Sequence, residues 1–189
     1  MPRHAHRFGE YVFINCRFDR AYWPILAAII FCVVQCRFVP RSALEELDLS
    51  RIELSTVSGL PRFNMSFELG LDLGCRIYGQ GNLKTKKCLI LDAEPHRYQA
   101  FISDIAGQDI QYHHNSPDQV LTTIRNWLVT ASGHSNLPGP ALIRRRFWEF
   151  ASALPEYCTG LGLDRHDLQF VEYVALVQEW LAVGESPGR

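Results

Sequence analysis

Residues 60–74 read LPRFNMSFELGLDLG, and the fold turns on how this stretch is assigned. Phe67, Leu69, Leu71 and Leu73 alternate with Glu68, Gly70, Asp72 and Gly74, which is the period of a strand with one face in water. On that assignment Glu68 points to solvent and does nothing further. As a helix, the same residues put Glu68 and Asp72 four apart on one polar stripe, with the leucines on its two flanks. The alternation by itself favours the strand.

Working outward, EYVFINC (residues 10–16) is a short aromatic and β-branched strand, followed by a helix from about Ala21 to Cys36 capped by Asp19. Pro24 fits this helix because it falls in the first turn. A second short strand is expected at RFVPR. KCLILDAE (residues 87–94) is another continuous apolar strand, and YQAFISDIAG is helical and closed by Gly107. PDQVLTTIRNWLVTA (residues 117–131) is the clearest amphipathic helix, with Val120, Leu121, Ile124, Trp127 and Leu128 as its apolar stripe. SGHSNLPGP (residues 132–140) has a linker's composition. Two helices follow, with apolar sets Phe147, Phe150 and Leu154, then Phe170, Tyr173, Val174, Val177, Trp180 and Leu181. Strands alternating with helices predict a parallel α/β sheet over residues 1–133, with a helical extension over 134–189 packed against it.

The composition narrows the function classes. A chain of 189 residues with 47% hydrophobic residues, 21% charged residues and a net charge of −1 suits a globular core. It gives no electrostatic case for nucleic acid or an anionic membrane. Lys84, Lys86 and Lys87, and Arg144, Arg145 and Arg146, are short enough to be solvated surface. The apolar run at residues 22–36 falls short of the roughly 20 residues of a membrane span. The start, MPRHAHRFGE, lacks the apolar segment of a signal peptide, so a cytoplasmic protein is expected. Six cysteines without a CxxC pair read as buried free thiols in a reducing compartment.

The order of pieces then resembles a known group. FINCRFD ending a strand, YWP opening a helix, then DLSRIE, SGLPRFNMSFELGLDLG and CLILD are similar to bacterial proteins of the TIR-like and nucleoside 2-deoxyribosyltransferase-like superfamily. The similarity covers roughly residues 9–132, and NMSFELG is its most specific piece. It implies a flavodoxin-like parallel sheet flanked by helices, and a helix where the alternation favours a strand. It also implies that Glu68 is the nucleophile of N-ribosyl cleavage or transfer on NAD+ or a nucleoside, in bacterial defence or signalling. One departure stands out. RSALEELDLSRIE joins segments between which relatives carry a further helix and central strand of about 25 residues. Either ELDLSRIEL replaces that strand or the sheet is one strand short.

Cleavage of an N-ribosyl bond builds positive charge at the anomeric carbon, and a carboxylate in reach stabilises or attacks it. A cationic nicotinamide leaves without help, so one glutamate suffices. A purine or pyrimidine needs a proton donor, for which Asp19 is the candidate beside its plain role as a helix cap. Asn15, Cys16, Arg17 and Phe18 follow the first strand, where open α/β sheets bind ligands; Arg17 suits a phosphate and Phe18 a base. Ser50 and Arg51 belong near the same cleft, and Asn64 either caps the Glu68 helix or meets a ribose hydroxyl. Arg62 reads as a loop charge. YGQGNLKTKK lacks the Walker spacing, Ser58 lacks a nucleophile-elbow context, and the adjacent His113 and His114 sit in a polar turn unsuited to chelation, so no metal site or resident cofactor is expected. The expected partner is a small nucleotide or nucleoside, with self-assembly left open. The competing expectation is an inactive nucleotide-binding or assembly module of the same fold.

Overall fold

The computed structural model describes residues 10–16, 19–42, 63–96 and 110–185. The elements run β1 (Tyr11–Ile14), α1 (Trp23–Gln35), β2 (Val39–Ser42), α2 (Phe63–Tyr78), a 3-10 turn (Gly81–Thr85), β3 (Ile90–Asp92), β4 (Ile110–Tyr112), α3 (Pro117–Ser132), α4 (Pro140–Leu161) and α5 (Phe170–Glu185). The chain is mixed α/β. It forms two compact units, one from residues 1–46 with 115–189 and one from residues 47–114.

In the first unit β1 and β2 pair in parallel, Tyr11 opposite Val39 and Ile14 opposite Ser42, with α1 as the crossover between them. Helix α1 carries apolar residues around its whole circumference, the pattern of a helix covered on every side. Ile25 through Val33 are all buried. That demand explains the tail. Helices α3, α4 and α5 all contact α1, so the C-terminal helices belong to the same unit as the first strand. The sequence placed a division near residue 133. The compact grouping instead joins residues 115–189 to the N-terminal segment, because α1 needs cover that α3 alone does not supply.

The cover is aromatic. Phe31 on α1 has no exposure, stacks on Phe150 at 5.7 Å between centroids, and meets Phe147 edge-on at 5.5 Å. Phe150 in turn touches Tyr173 at 5.7 Å and Trp180 at 5.6 Å on α5. The expected apolar sets are mostly right. Phe147, Phe150, Phe170, Tyr173, Val177 and Leu181 are buried, while Leu154, Val174 and Trp180 are half-buried. Helix α3 starts as read, with Pro117 in its first turn and the Ser116 hydroxyl accepting from the Gln119 N–H at 3.4 Å. It ends at Gly133, whose φ of 74° is the left-handed conformation that glycine adopts without strain. Arg125 then fixes the α3–α4 connection, donating from Nε to the Pro138 carbonyl at 2.8 Å and from Nη2 to the Leu137 carbonyl at 3.1 Å.

In the second unit β3 and β4 pair in parallel, Ile90 opposite Ile110 and Asp92 opposite Tyr112. The sequence placed Val12–Asn15 and Leu89–Leu91 as neighbouring or near-neighbouring strands of one sheet. Among the described residues the strand pairings are instead two ladders, β1 with β2 and β3 with β4. Residues 63–78 are helical, so the alternation at 67–74 misleads and the helix implied by the resemblance is the observed state. The expected helix YQAFISDIAG, and the replacement strand in ELDLSRIEL, lie outside the described residues. Among the described residues no helix is long and apolar enough to cross a membrane.

Candidate functional site

Glu68 is the sixth residue of α2 and is half-buried. Asp72, one turn further on the same stripe, accepts from Lys86 Nζ at 2.7 Å and is held in that pair. Glu68 has no hydrogen-bond or ion-pair partner among the described residues. The two carboxylates thus differ: Asp72 is neutralised locally, and Glu68 has no partner among the described residues.

The remaining candidates divide between the two units and the undescribed segments. Asn15 is exposed just past the end of β1, and Cys16 beside it is buried. The Asp19 carboxylate accepts from the Tyr22 N–H at 3.0 Å, closing the turn that leads into α1. The expected cap of α1 by Asp19 is not what forms: the helix begins at Trp23 with Tyr22 as its N-cap and no side-chain cap bond, and Asp19 serves the preceding turn. Asn64 lies in the first turn of α2, with its side chain outside the described set. Arg17, Phe18, Ser50 and Arg51 are also outside it.

Some residues passed over in the sequence gather chemistry at the carboxyl ends of β3 and β4. Asp92 is buried and accepts from the Ala93 N–H at 2.7 Å. His113, read as a polar-turn residue, is 1% exposed. The rings of His96 and Tyr112 lie 6.4 Å apart. Adjacent histidines in a polar stretch carry no periodic signal, so nothing in the sequence announced that one of the two would be enclosed. Among the described residues no group of three or more His, Cys, Asp and Glu side chains could hold a metal ion.

The thiols follow their surroundings. Cys32 is enclosed between α1 and α3, with Sγ 3.5 Å from the Leu121 carbonyl, and burial pushes its pKa well up. A hydrogen bond from Cys32 draws the Cys36 thiol down. Cys158, also buried, is pushed up by desolvation. These are the packed free thiols the sequence suggested.

Surface hollows occur among the described residues of the first unit. One of about 450 Å³ lies over the C-terminal end of α4, between Pro155, Cys158 and Arg165. Another of about 190 Å³ lies between Val39, Arg41, Phe170 and Val174. Neither is lined by a residue expected from the sequence to contact substrate. No family model matches the chain, and no curated protein or solved structure matches it.

Proposed function

We propose that the chain cleaves or transfers N-ribosyl groups of NAD+ or a nucleoside, with Glu68 as the carboxylate that meets the anomeric carbon. The observation that carries this reading is the half-buried Glu68 carboxylate on α2, without a partner among the described residues, set against a neighbouring Asp72 that Lys86 already neutralises. A glutamate whose only task were solubility or a surface ion pair would be equally served by the Asp72 arrangement. In the proposed chemistry one Glu68 oxygen bonds to the anomeric carbon as the N-glycosidic bond breaks, and the bond's electron pair leaves with the base. Water or an acceptor hydroxyl then displaces the carboxylate and surrenders its proton to solvent. Nicotinamide is neutral once it leaves, so this substrate needs no proton donor beside Glu68. Ser50, Arg51 and Asn64, of the same compact unit as Glu68, are the proposed substrate contacts, in a protein of the cytoplasm acting in bacterial defence or signalling.

The test is incubation of the purified chain with NAD+ and a panel of nucleosides, with free base measured by chromatography. Wild type should release base, and Glu68→Gln should lose that activity with an unchanged melting temperature. Equal turnover in both proteins would sink the nucleophile assignment. The ladders of two strands each among the described residues support the second reading, a module of this fold that binds a nucleotide without turnover. Saturable binding of NAD+ with no base released would decide for it.

A further inference from the structure

Helix α1 ends on a pair of thiols. Cys32 and Cys36 are one turn apart, joined by the bond from the Cys36 backbone N–H to the Cys32 carbonyl at 3.0 Å. Neither meets water: Cys32 has no exposure and Cys36 has 1%. Their side chains are hydrogen-bonded to each other, and the Cys32 Sγ also lies 3.5 Å from the Leu121 carbonyl of α3. One turn further along α3 stands Arg125, whose positive charge acts on both thiols. A single buried cysteine serves as a small apolar side chain. The cation set beside this pair is what packing does not call for.

Arg125 is half-buried and lacks an anion. It donates to the Pro138 carbonyl at 2.8 Å, the Leu137 carbonyl at 3.1 Å and the Asn126 side-chain oxygen at 3.3 Å, and each acceptor is neutral. Among the described residues no carboxylate pairs with it. A partly desolvated charge favours an opposite charge beside it, and the two thiols are the groups here that supply one by losing protons. Their spacing says in what form. Side chains one turn apart on a helix have Cβ atoms about 5–6 Å apart. That is too wide for a disulfide, which needs about 3.5–4.5 Å. A metal ion bonded in line to two sulfurs at about 2.3 Å each holds them about 4.6 Å apart, which this spacing meets without unwinding the helix.

The ligand set selects the ion. Zinc takes four ligands, and the described residues bring no third His, Cys, Asp or Glu to this pair. Thiolates are soft ligands that favour copper(I), an ion satisfied by two of them in line. We propose that Cys32 and Cys36 form a two-coordinate site for a soft monovalent cation, copper(I), with Arg125 as the countercharge of the bis-thiolate complex. Two S–H bonds break, two metal–sulfur bonds form, and two protons leave to solvent. No electron is transferred. The complex carries one negative charge, which the Arg125 guanidinium balances. This inference does not rest on the chemistry of Glu68, which belongs to the other compact unit.

The test gives copper(I) to the reduced full chain under nitrogen, both as folded protein and during refolding from urea, and then challenges it with the chromogenic chelator bicinchoninate. Wild type should retain one equivalent by at least one route, with X-ray absorption showing two sulfurs at the metal. Cys32→Ala and Cys36→Ala should each lower the affinity at least about a hundredfold, while Cys158→Ala holds copper as wild type does. Over one pH unit near neutrality the affinity should rise more than about tenfold, because two protons leave with each ion bound, where a single thiol gives tenfold at most. Arg125→Gln should weaken retention at least about tenfold, and Arg125→Lys, which restores the charge, should recover it. Melting curves of the metal-free proteins check folding. If Cys32→Ala fails to fold, Cys36→Ala at the helix end decides. A wild type that retains no copper by either route, or a Cys36→Ala that retains as much as wild type, would overturn the proposal.

Discussion

Phe150→Ala gives the sharpest measure of how the tail helices hold α1. Phe150 is fully buried, and its ring touches Phe31 of α1 together with Tyr173 and Trp180 of α5. Truncation removes three aromatic contacts and leaves a void bounded by three helices. Buried Phe→Ala changes cost about 3–5 kcal/mol, and with rigid aromatic neighbours on two helices the upper half of that range applies. A domain of this kind holds roughly 5–15 kcal/mol in all, so the loss is a large share. With a urea slope near 2 kcal/mol per molar, the midpoint should fall by about 2 M while the slope stays the same. Leu142→Ala on the same helix, at a residue 37% exposed, should cost less than about 1 kcal/mol. Urea titrations followed by circular dichroism compare the three proteins. A Phe150→Ala loss below about 1.5 kcal/mol, or one equal to Leu142→Ala, would refute the claim that α4 and α5 stabilise α1 through this cluster.

Burial holds the Tyr173 phenol well above its ordinary range. Above about pH 10 the unfolded chain ionises while the folded one keeps its proton, so stability drains away as pH rises, and it is untouched below that point. Tyr173→Phe should therefore lose less melting temperature than wild type between about pH 9 and pH 11, and parallel curves would count against it. Arg125→Gln removes the charged donors to the Leu137 and Pro138 carbonyls and should cost about 1.5–3 kcal/mol in chemical denaturation. Arg125→Lys should recover only part of this, since an ammonium lacks the planar fork. Cys32, enclosed with its thiol pushed up, should be among the last to react with an aromatic disulfide reagent, well after the half-buried Cys75 and Cys88. Mass spectrometry of quenched samples gives the order.

The elements of the first unit were legible because their residues obey one period each. Pro117 with a following stripe of Val120, Leu121, Ile124 and Leu128 leaves little freedom, and α3 matches to within a residue of its expected end. A run as apolar as residues 25–33 has to be covered all round, so its burial was readable even though the identity of its covering helices was not. The stretch 67–74 failed for a definite reason. Glycine counts as polar in an alternating pattern, yet Gly70 and Gly74 share a helix face with Phe67 and Leu71, so the same letters satisfy both periods. Only the resemblance carried by NMSFELG pointed to helix. The burial of His113 depends on packing at the ends of short strands, which no local pattern encodes.

The interrupted first unit bears on how the chain folds as it is made. Helix α1 is complete by Gln35, but Trp180, which packs on Phe31 at 6.2 Å, is synthesised roughly 150 residues later. At about 5–20 residues per second, an apolar helix whose native cover is incomplete waits some 7–30 s for α5. Hydrophobic collapse takes microseconds, so α1 meets whatever is present long before α5 arrives. During that interval it offers a holding chaperone a helix that is greasy on every side. Ribosomal pausing within residues 47–114 would lengthen the exposure without altering a single native contact of α1, and the yield of folded protein would be expected to fall with it.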